Sequence, residues 1–160
     1  MQEWCPIKLA ITLAAIGKIK AGVELELFHH YAARLPWKIT VKEKEIKKPL
    51  PLQQRREQEG EFLLSACKGA DYIIALGEKG KQLGSSEFAQ LLEKNAAALG
   101  GNIAFIIGGA DGLDDAIRHQ SNLLLSLGKF TFPHMLVRGL LAEQLYRSHT
   151  ILTGHPYHRE

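Results

Sequence analysis

The sequence predicts a single α/β domain in which helices cover both faces of a parallel sheet. Apolar, strand-like runs alternate with helical segments about five times along the 160 residues, which is the element order of a parallel α/β fold. All but the second of these runs are continuously apolar, as strands buried on both faces are. The chain has no internal repeat or linker and is 46% hydrophobic, so residues 1–160 are expected to share one core.

The first half of the chain contains two predicted strands and two predicted helices. Residues 7–16, IKLAITLAAI, predict a buried strand. Residues 22–34 predict a helix, because apolar side chains recur at every fourth position. Residues 37–46, WKITVKEKEI, alternate apolar and charged side chains, which predicts a strand with one face in water. A loop with two prolines, KKPLPL, then precedes a charged helix at about 53–68.

The second half continues the alternation. Predicted strands cover residues 71–77, 102–109 and 122–130, and predicted helices cover residues 86–100, 114–120 and 133–149. The stretch EKGKQLG between the first of these strands and its helix predicts a glycine-rich loop. Ser85 or Ser86 is expected to cap that helix, and Gly100–Gly101 to end it. Pro133 suits the first turn of the last helix.

Composition excludes several classes of protein. No apolar run approaches the roughly 20 residues needed to span a bilayer, so no membrane partner is expected. The first residues have an acidic rather than a basic lead-in and no convincing small-residue cleavage site, which favours a first strand over a signal peptide. Cys5 and Cys67 lie far apart without metal-ligand spacing, so neither a disulfide nor a zinc site is indicated. The sequence therefore predicts a cytoplasmic protein.

Residues 38–56, KITVKEKEIKKPLPLQQRR, carry seven basic and two acidic side chains, a net charge of +5 in nineteen residues. The whole chain has a net charge of +3, so the molecule should have a basic side. Such a side would suit a polyanion such as nucleic acid. A lysine-rich edge strand, whose charges prevent pairing with another sheet, explains the same run. On this segment alone the edge-strand interpretation is slightly favoured.

Three predicted strands end in glycine-bearing segments: ALGEKGK (75–81), IIGGADGL (106–113) and LSLGKFTFPH (125–134). Ligands of open α/β sheets gather at the carboxyl ends of strands, and glycine lets backbone amides approach a ligand closely. Together the three ends predict a cofactor cleft. Neither G-x-G-x-x-G after the first strand nor GxxxxGK[ST] is present, so a dinucleotide or a nucleoside triphosphate is poorly supported. Asp114, Asp115 and Lys129 form no metal-binding pattern, and no metal is predicted.

The last predicted helix, PHMLVRGLLAEQLYRSH, carries apolar side chains over a wide arc, which predicts that it is buried or forms an interface. Arg147 lies four residues beyond Glu143, as in a helix-stabilising ion pair. His134 is open to two interpretations, a capping or core hydrogen bond and a role in a site. The chain then ends on TGHPYHRE (153–160), a cluster of titratable side chains where chain ends are usually bland.

At these motifs the sequence resembles a known family. IIGGADGL, followed by LSLGKFTFPHMLVRGLLAEQLYRSHTILTGHPYHRE, is similar to the small SPOUT-class methyltransferases that modify N3 of a pseudouridine in large-subunit (23S) ribosomal RNA. The resemblance covers nearly the whole chain, including LGEKGKQLGSSEFA, and is weakest in the first few residues and in 38–56. The order TFPH, VR, EQLYR and HPYH is specific, because no generic helix pattern requires it.

The resemblance implies a deep trefoil knot near the carboxyl terminus, an exception to the rule that chains do not thread loops. It also implies S-adenosyl-L-methionine as cofactor, bound bent in the knot, a homodimer, and ribosomal RNA in the large subunit or the assembled ribosome as substrate. The implied cofactor-binding residues are Leu76, Gly77, Gly108, Gly109, Leu127, Gly128, Lys129, Phe130, Thr131 and Phe132. The family often has serine where this chain has Gly128, and backbone amides can still serve there.

The resemblance also assigns roles to the end of the chain. The implied catalytic residues are His155, Tyr157, His158 and Arg159, in a tail that lies beside the cofactor, and in a homodimer the tail of one protomer would complete the pocket of the other. Either histidine would be the base that removes the N3 proton. Arg138, Arg147 and His134 are the implied RNA contacts.

Two other functions stay open on the sequence. The first is a methyltransferase of the same fold with a different RNA target. The second is a non-catalytic module that binds RNA or the ribosome and does not bind the cofactor. A nucleotide-dependent oxidoreductase is disfavoured, because the dinucleotide fingerprint is missing.

Overall fold

The computed structural model describes residues 7–159, in which five parallel strands form one sheet with the order β2-β1-β4-β3-β5. The strands are β1 (Ala10–Ile16), β2 (Lys38–Lys44), β3 (Tyr72–Gln82), β4 (Asn102–Ile107) and β5 (Leu123–Ser126). The helices are α1 (Val23–Ala32), α2 (Leu52–Ala66), α3 (Ser85–Leu99), α4 (Asp115–Gln120) and α5 (His134–Thr153). All strand pairs are parallel, so the predicted α/β class is confirmed.

Helices cover both faces of the sheet, as predicted. Successive side chains of a strand point to opposite faces, and in the central strands both sets are apolar. On one face Leu13 and Phe105 pack in a cluster that α1, α3 and α5 complete. On the other face Ala14 and Ile106 pack with residues of α2 and α4. The smaller side chains on the second face suit a layer of only two helices.

Strand β2 lies at one edge of the sheet, which confirms the edge-strand interpretation of the basic segment. The side chains of Lys38, Lys42 and Lys44 are exposed along it. Lysines on an exposed strand oppose pairing with a second sheet. The Lys42 Nζ atom also donates a hydrogen bond to the Ala66 carbonyl at 3.1 Å, which ties the edge to α2.

The stretch EKGKQLG is not a loop for most of its length, because β3 continues to Gln82. Strand β3 pairs with β5 twice: Leu76 lies beside Leu125, and Lys81 lies beside the same residue after an irregularity in the register. Strand β5 is correspondingly shorter than predicted and ends at Ser126. Two residues later Gly128 has φ +147°, a backbone conformation that ends an extended strand and that favours glycine.

Two helix starts differ from the prediction. The N-cap of α3 is Gly84, not a serine, and its N–H donates to the Glu87 carboxylate at 2.7 Å. The hydroxyl of Ser85 donates instead to Gln144 of α5 at 2.8 Å, so it joins two helices. Pro133 is the N-cap of α5 and not part of its first turn.

Helix α5 extends beyond the predicted range and stops at Gly154, which has φ +72°. The His155 N–H donates back to the Thr150 carbonyl at 2.9 Å, which is the type of bond that closes a helix end. Among the helices of residues 7–159, none combines the length and apolarity required to cross a membrane.

Of the two cysteines, Cys67 is a buried free thiol, and burial raises its pKa to about 11. Cys5 and the acidic lead-in lie outside the described residues, as does Glu160 at the end of the tail.

Replacing Gly80 with alanine tests the close approach of β3 to β5. A Cβ atom at Gly80 would lie 2.6 Å from the Leu125 carbonyl carbon and 2.7 Å from the Leu124 carbonyl group, and backbone cannot move aside as a side chain can. We expect Gly80→Ala to lower the free energy of unfolding by about 3 kcal/mol, near the upper end for overpacking, as measured by urea denaturation.

Gly84→Ala is the matched control, because a Cβ there meets only a flexible Glu87 carboxylate oxygen at 3.4 Å. Its effect should stay below about 1 kcal/mol. Equal unfolding midpoints for the two variants would contradict the close backbone approach.

Candidate functional site

A cavity of about 540 Å³ opens at the carboxyl ends of β4 and β5 and along the middle of β3, at residues 76–79. Nine of the ten cofactor-binding residues implied by the resemblance line it, all except Lys129: Leu76, Gly77, Gly108, Gly109, Leu127, Gly128, Phe130, Thr131 and Phe132. His134 and Val137 of α5 close one side. The structure therefore brings three distant segments together in one pocket, while their role in cofactor binding stays a prediction.

The glycines of the β4 loop allow tight packing beneath this cavity. A Cβ atom at Gly108 would lie 2.8 Å from a methyl group of Leu113, and one at Gly109 would lie 3.0 Å from a methyl group of Ile16. Gly112 has φ +79°, and its N–H donates to the Gly109 carbonyl at 3.1 Å. The segment thus forms a compact turn in which three of the cavity-lining residues, Gly108, Gly109 and Gly112, have no side chain.

Helix α2 holds this turn from behind. Nε and a terminal nitrogen of Arg56 donate to the Asp111 carbonyl at 3.0 and 2.7 Å, and Arg55 lies 3.8 Å from the Asp111 carboxylate. The carboxylate of Glu59 is buried against Gly109. Burial raises the pKa of Glu59, Asp111 raises it further, and the two arginines oppose the shift. Two arginines of the basic segment therefore support the cavity loop.

Arg138, implied as an RNA contact, is 1% exposed. Its guanidinium donates to the Glu43 carboxylate at 2.8 Å and to the Gly17 carbonyl at 2.7 Å. Burial lowers the pKa of Arg138, and Glu43 opposes that shift. A side chain enclosed in this way is not accessible to an RNA phosphate. The RNA assignment is therefore corrected: in this structure Arg138 joins α5 to the ends of β1 and β2.

The tail folds back along α5 and forms a polar network around Glu143. The Tyr157 hydroxyl donates to the Glu143 carboxylate at 3.0 Å, with the Tyr31 hydroxyl 3.4 Å away. Arg147 donates to the same carboxylate oxygen at 3.0 Å and lies over the Tyr157 ring, 4.9 Å from its centroid. Burial, followed by the hydrogen bonds, raises the pKa of Tyr157. Tyr157 therefore stays protonated and donates at neutral pH.

Both tail histidines use Nδ1 as an acceptor. A terminal nitrogen of Arg147 lies 3.2 Å from Nδ1 of His158, and a guanidinium can only donate. The Tyr157 backbone N–H donates to Nδ1 of His155 at 3.2 Å. In the neutral ring the hydrogen is then on Nε2, which can donate a hydrogen bond. The role of either histidine as the base stays a prediction.

Within one chain the tail and the cavity are separate. The tail returns along α5 to Glu143, six positions from Val137 at the cavity, or about 9 Å at the rise of an α-helix. Of the described tail residues 153–159, none lines the cavity. The implied position of the tail beside the cofactor loops is therefore not found within a single chain.

The sequence analysis assigned no place in a site to two residues that the tail network needs, Glu143 and Tyr31. Glu143 accepts from both Arg147 and Tyr157, whereas its spacing suggested only a helix-stabilising pair, which is present. Glu143 also lines a second cavity of about 400 Å³, which adjoins the first along the shared residues Leu125, Ser126, Leu127, Gly128 and Phe132. Tyr31 lies on α1, and no local pattern links it to a tail more than a hundred residues away. Glu143 is the first residue of EQLYR, one of the motifs on which the family resemblance depends, and this motif was the signal that could have identified it.

Comparisons with known proteins agree with this geometry. Ribosomal RNA large subunit methyltransferase H of Paramagnetospirillum magneticum is 49% identical over 151 residues, which cover 94% of this chain and 99% of that protein. The protein of the same name from Rhodospirillum centenum is 44% identical over the same shares of the two chains. A solved structure of a probable methylase family protein from Haemophilus influenzae has a TM-score of 0.57 at 12% identity, covering 95% of this chain and 71% of that one.

A parallel sheet with a glycine-lined cavity at its carboxyl edge defines an α/β protein that binds a small molecule. The family described as "Predicted SPOUT methyltransferase" matches residues 9–158. The chain therefore belongs to the SPOUT methyltransferase family.

Replacing Glu43 with glutamine tests how far the structure depends on the buried pair. The variant leaves the charge of Arg138 buried without its counter-ion, and breaking buried pairs typically lowers the free energy of unfolding by 3–5 kcal/mol. Because Glu43 is partly exposed, we expect about 3 kcal/mol, measured by urea denaturation at pH 7.

Glu45→Gln is the control on the same segment. Glu45 pairs with Lys47 at 4.0 Å on the surface, and such pairs contribute about 0–1 kcal/mol. A Glu43→Gln variant as stable as Glu45→Gln would show that the buried pair is not needed for folding.

Proposed function

We propose that this SPOUT-family methyltransferase transfers a methyl group from S-adenosyl-L-methionine to N3 of a pseudouridine in 23S ribosomal RNA, on the large subunit or the assembled ribosome. The observation that carries the proposal is the cavity built from three glycine-bearing segments, in the middle of β3 and after β4 and β5, in a member of a methyltransferase family. The names of the similar proteins point to the same class of RNA.

The cavity fits this cofactor in size and chemistry. Its volume of about 540 Å³ lies in the range of pockets for small ligands. Leu76, Leu127 and Phe132 supply apolar surface for an adenine ring, and the backbone at Gly77 and Gly108 is free of side chains that would block a close approach. When bound, S-adenosylmethionine supplies an electrophilic methyl group to a nucleophile aligned with its sulfur–carbon bond. Such alignment can lower a barrier by about 7–11 kcal/mol in the best intramolecular cases.

The active enzyme is a homodimer in which the tail of one protomer reaches the cavity of the other. The separation of tail and cavity along α5 within one chain supports this arrangement. Leu136, Leu140, Glu143 and Arg147 are spaced by four, three and four residues, so they share one face of α5. All four side chains are half-buried, and this face is the one we propose for the dimer contact.

The tail stabilises the charge that develops on the target base. N3 becomes nucleophilic once its proton leaves to solvent, and the negative charge then spreads over the neighbouring carbonyl oxygens. The Nε2–H groups of His155 and His158 are suited to donate to these oxygens, and Arg159 is exposed and can bind an RNA phosphate. Fixed donors aimed at developing charge are an effective form of catalysis. Tyr157 holds the tail to Glu143, and Arg147 orients His158.

The remaining parts of the proposal concern the chain as a whole. Residues 1–160 form one cytoplasmic domain, and the carboxyl-terminal part is tied in a trefoil knot. The knot is supported by the double pairing of β3 with Leu125 and by the close approach of Gly80 to the β5 backbone. His134, at the cavity rim, remains a candidate for an RNA contact.

Mixing two inactive variants tests the completion of the cavity by the partner's tail. Gly108→Val blocks the cavity loop, because even a Cβ atom there meets Leu113 at 2.8 Å. Truncation after Gly154 removes the tail, and His158→Ala removes one donor. We expect each homodimer to lose at least about 100-fold in methylation rate, the effect of losing a charge-stabilising donor. Co-expressed heterodimers should recover up to a quarter to a half of the activity.

The truncated homodimer must still bind S-adenosylmethionine in calorimetry, which controls for folding. Absence of recovery in purified heterodimers would contradict an active site shared between protomers. Unchanged methylation by both tail variants would contradict any role of the tail in the reaction.

Labelled cofactor tests the substrate. We expect methyl transfer to ribosomes from a strain that lacks the enzyme, little transfer to naked 23S RNA, and N3-methylpseudouridine in nucleoside mass spectrometry. A different methylated nucleoside would identify another RNA target. Cofactor binding without transfer to any RNA would leave the target unassigned, and absence of cofactor binding in calorimetry would favour a non-catalytic binding module.

A further inference from the structure

We infer that the loop 17–21, directly after β1, is an RNA-contacting segment whose lysines bind substrate phosphates at the mouth of the cavity. The buried pair Arg138–Glu43 sets the position of this loop. The inference rests on the proposed function, since it names how the same site binds its RNA. The basic segment 38–56 suggested a polyanion-binding side, but the lysines of this loop did not stand out in the sequence.

Three hydrogen bonds fix the loop. The Gly17 N–H donates to the Lys44 carbonyl at 2.7 Å, and the Gly17 carbonyl accepts from Arg138 at 2.7 Å. The Ile19 N–H donates to the Glu43 carboxylate at 3.2 Å. The other oxygen of that carboxylate accepts from Arg138 at 2.8 Å. A single buried ion pair therefore holds the backbone on both sides of Lys18.

The loop lies beside the cavity because β1 is the neighbour of β4. Adjacent strands are about 4.8 Å apart, so the end of β1 adjoins the turn that follows β4. A Cβ atom added at Gly109 would lie 3.0 Å from Ile16, and one added at Gly17 would lie 3.6 Å from the His134 ring. Gly109 and His134 both line the cavity.

The loop presents uncompensated positive charge. Lys18 and Lys20 are exposed, and neither ammonium group has an ion-pair partner among residues 7–159. Phe130 lines the same cavity and is 81% exposed. Lysines for phosphates and an open aromatic ring for a base are the two elements of a surface that binds unpaired nucleic acid, and here the ring lines the cavity that the loop adjoins. An acidic protein surface would use the lysines but would not need the ring.

The double variant Lys18→Ala/Lys20→Ala tests the inference. We expect KM for ribosomes to rise about tenfold with kcat nearly unchanged. Each lost phosphate contact should reduce the slope of log(1/KM) against log salt by about 0.7–0.9. Calorimetric binding of S-adenosylmethionine should not change, because neither side chain lines the cavity.

Lys38→Ala/Lys68→Ala is the matched control. Both of these lysines are exposed, and both line a small cavity with Ala10 and Asn102, at the amino ends of the strands. The control should show the wild-type KM and salt slope. If the two double variants behave alike, the inference is wrong.

Glu43→Gln tests the positioning role of the buried pair, assayed at a temperature where the variant is folded. A displaced loop should raise KM for ribosomes with kcat maintained, as in the lysine variant. A merely structural role would reduce the active fraction, and hence kcat, at unchanged KM.

Two further outcomes separate this inference from the proposed function. If the enzyme methylates no RNA, the proposed function fails, and the loop is then tested by the salt dependence of binding to a fluorescent 23S RNA fragment. A lysine variant with normal affinity for that RNA but weakened affinity for ribosomes would assign the loop to a ribosomal protein and overturn the inference.

Discussion

The buried guanidinium of Arg138 is the interaction on which the geometry of the site depends. A charge that is 1% exposed is costly unless it is paired, and both terminal nitrogens of Arg138 have acceptors, whereas its buried Nε has none in the described structure. Glu43 supplies the counter-charge from β2, and the Gly17 carbonyl supplies an acceptor at the end of β1. The first turns of α5 are thereby held against two strand ends. Since His134 and Val137 on those turns close the cavity, the same ion pair sets the width of the pocket.

The opposite wall of the cavity is held in a related way. Helix α2 places Arg56 on the Asp111 carbonyl and buries Glu59 against Gly109. Charged side chains thus fix the backbone of this turn, and its cavity-lining residues Gly108 and Gly109 have no side chain. A backbone surface positioned in this way can contact a cofactor without the entropy loss of ordering side chains. Tight packing and an open inner surface both require glycine at Gly108 and Gly109.

Helix α5 carries the cavity and the tail network on different turns. Its first turns border the cavity, its middle carries Glu143 and Arg147, and the tail folds back to these two residues. Six residues from Val137 to Glu143 span about 9 Å, and none of residues 153–159 lines the cavity. The polar network of the tail is pre-formed, with Tyr157 on Glu143 and His158 on Arg147. An ordered array of donors that does not meet the pocket of its own chain is the physical reason to expect a second protomer.

By itself the sequence determined the class of fold and the residues of the cavity. Continuous apolar strands and three glycine-bearing segments are local signals, and they predict the sheet and a cleft where these segments meet. The resemblance to the family then named the individual residues, nine of which line the cavity. Local signals failed where partners are distant in sequence. The spacing of Arg138 did not reveal that Glu43, 95 positions away, would bury it, and no helix pattern linked Tyr31 to Tyr157. The extension of β3 through a glycine-rich stretch was decided by pairing with β5. Tertiary structure also decided which groups pack against Nδ1 of the two tail histidines, since Arg147 lies eleven residues from His158 and reaches it only when the tail folds back.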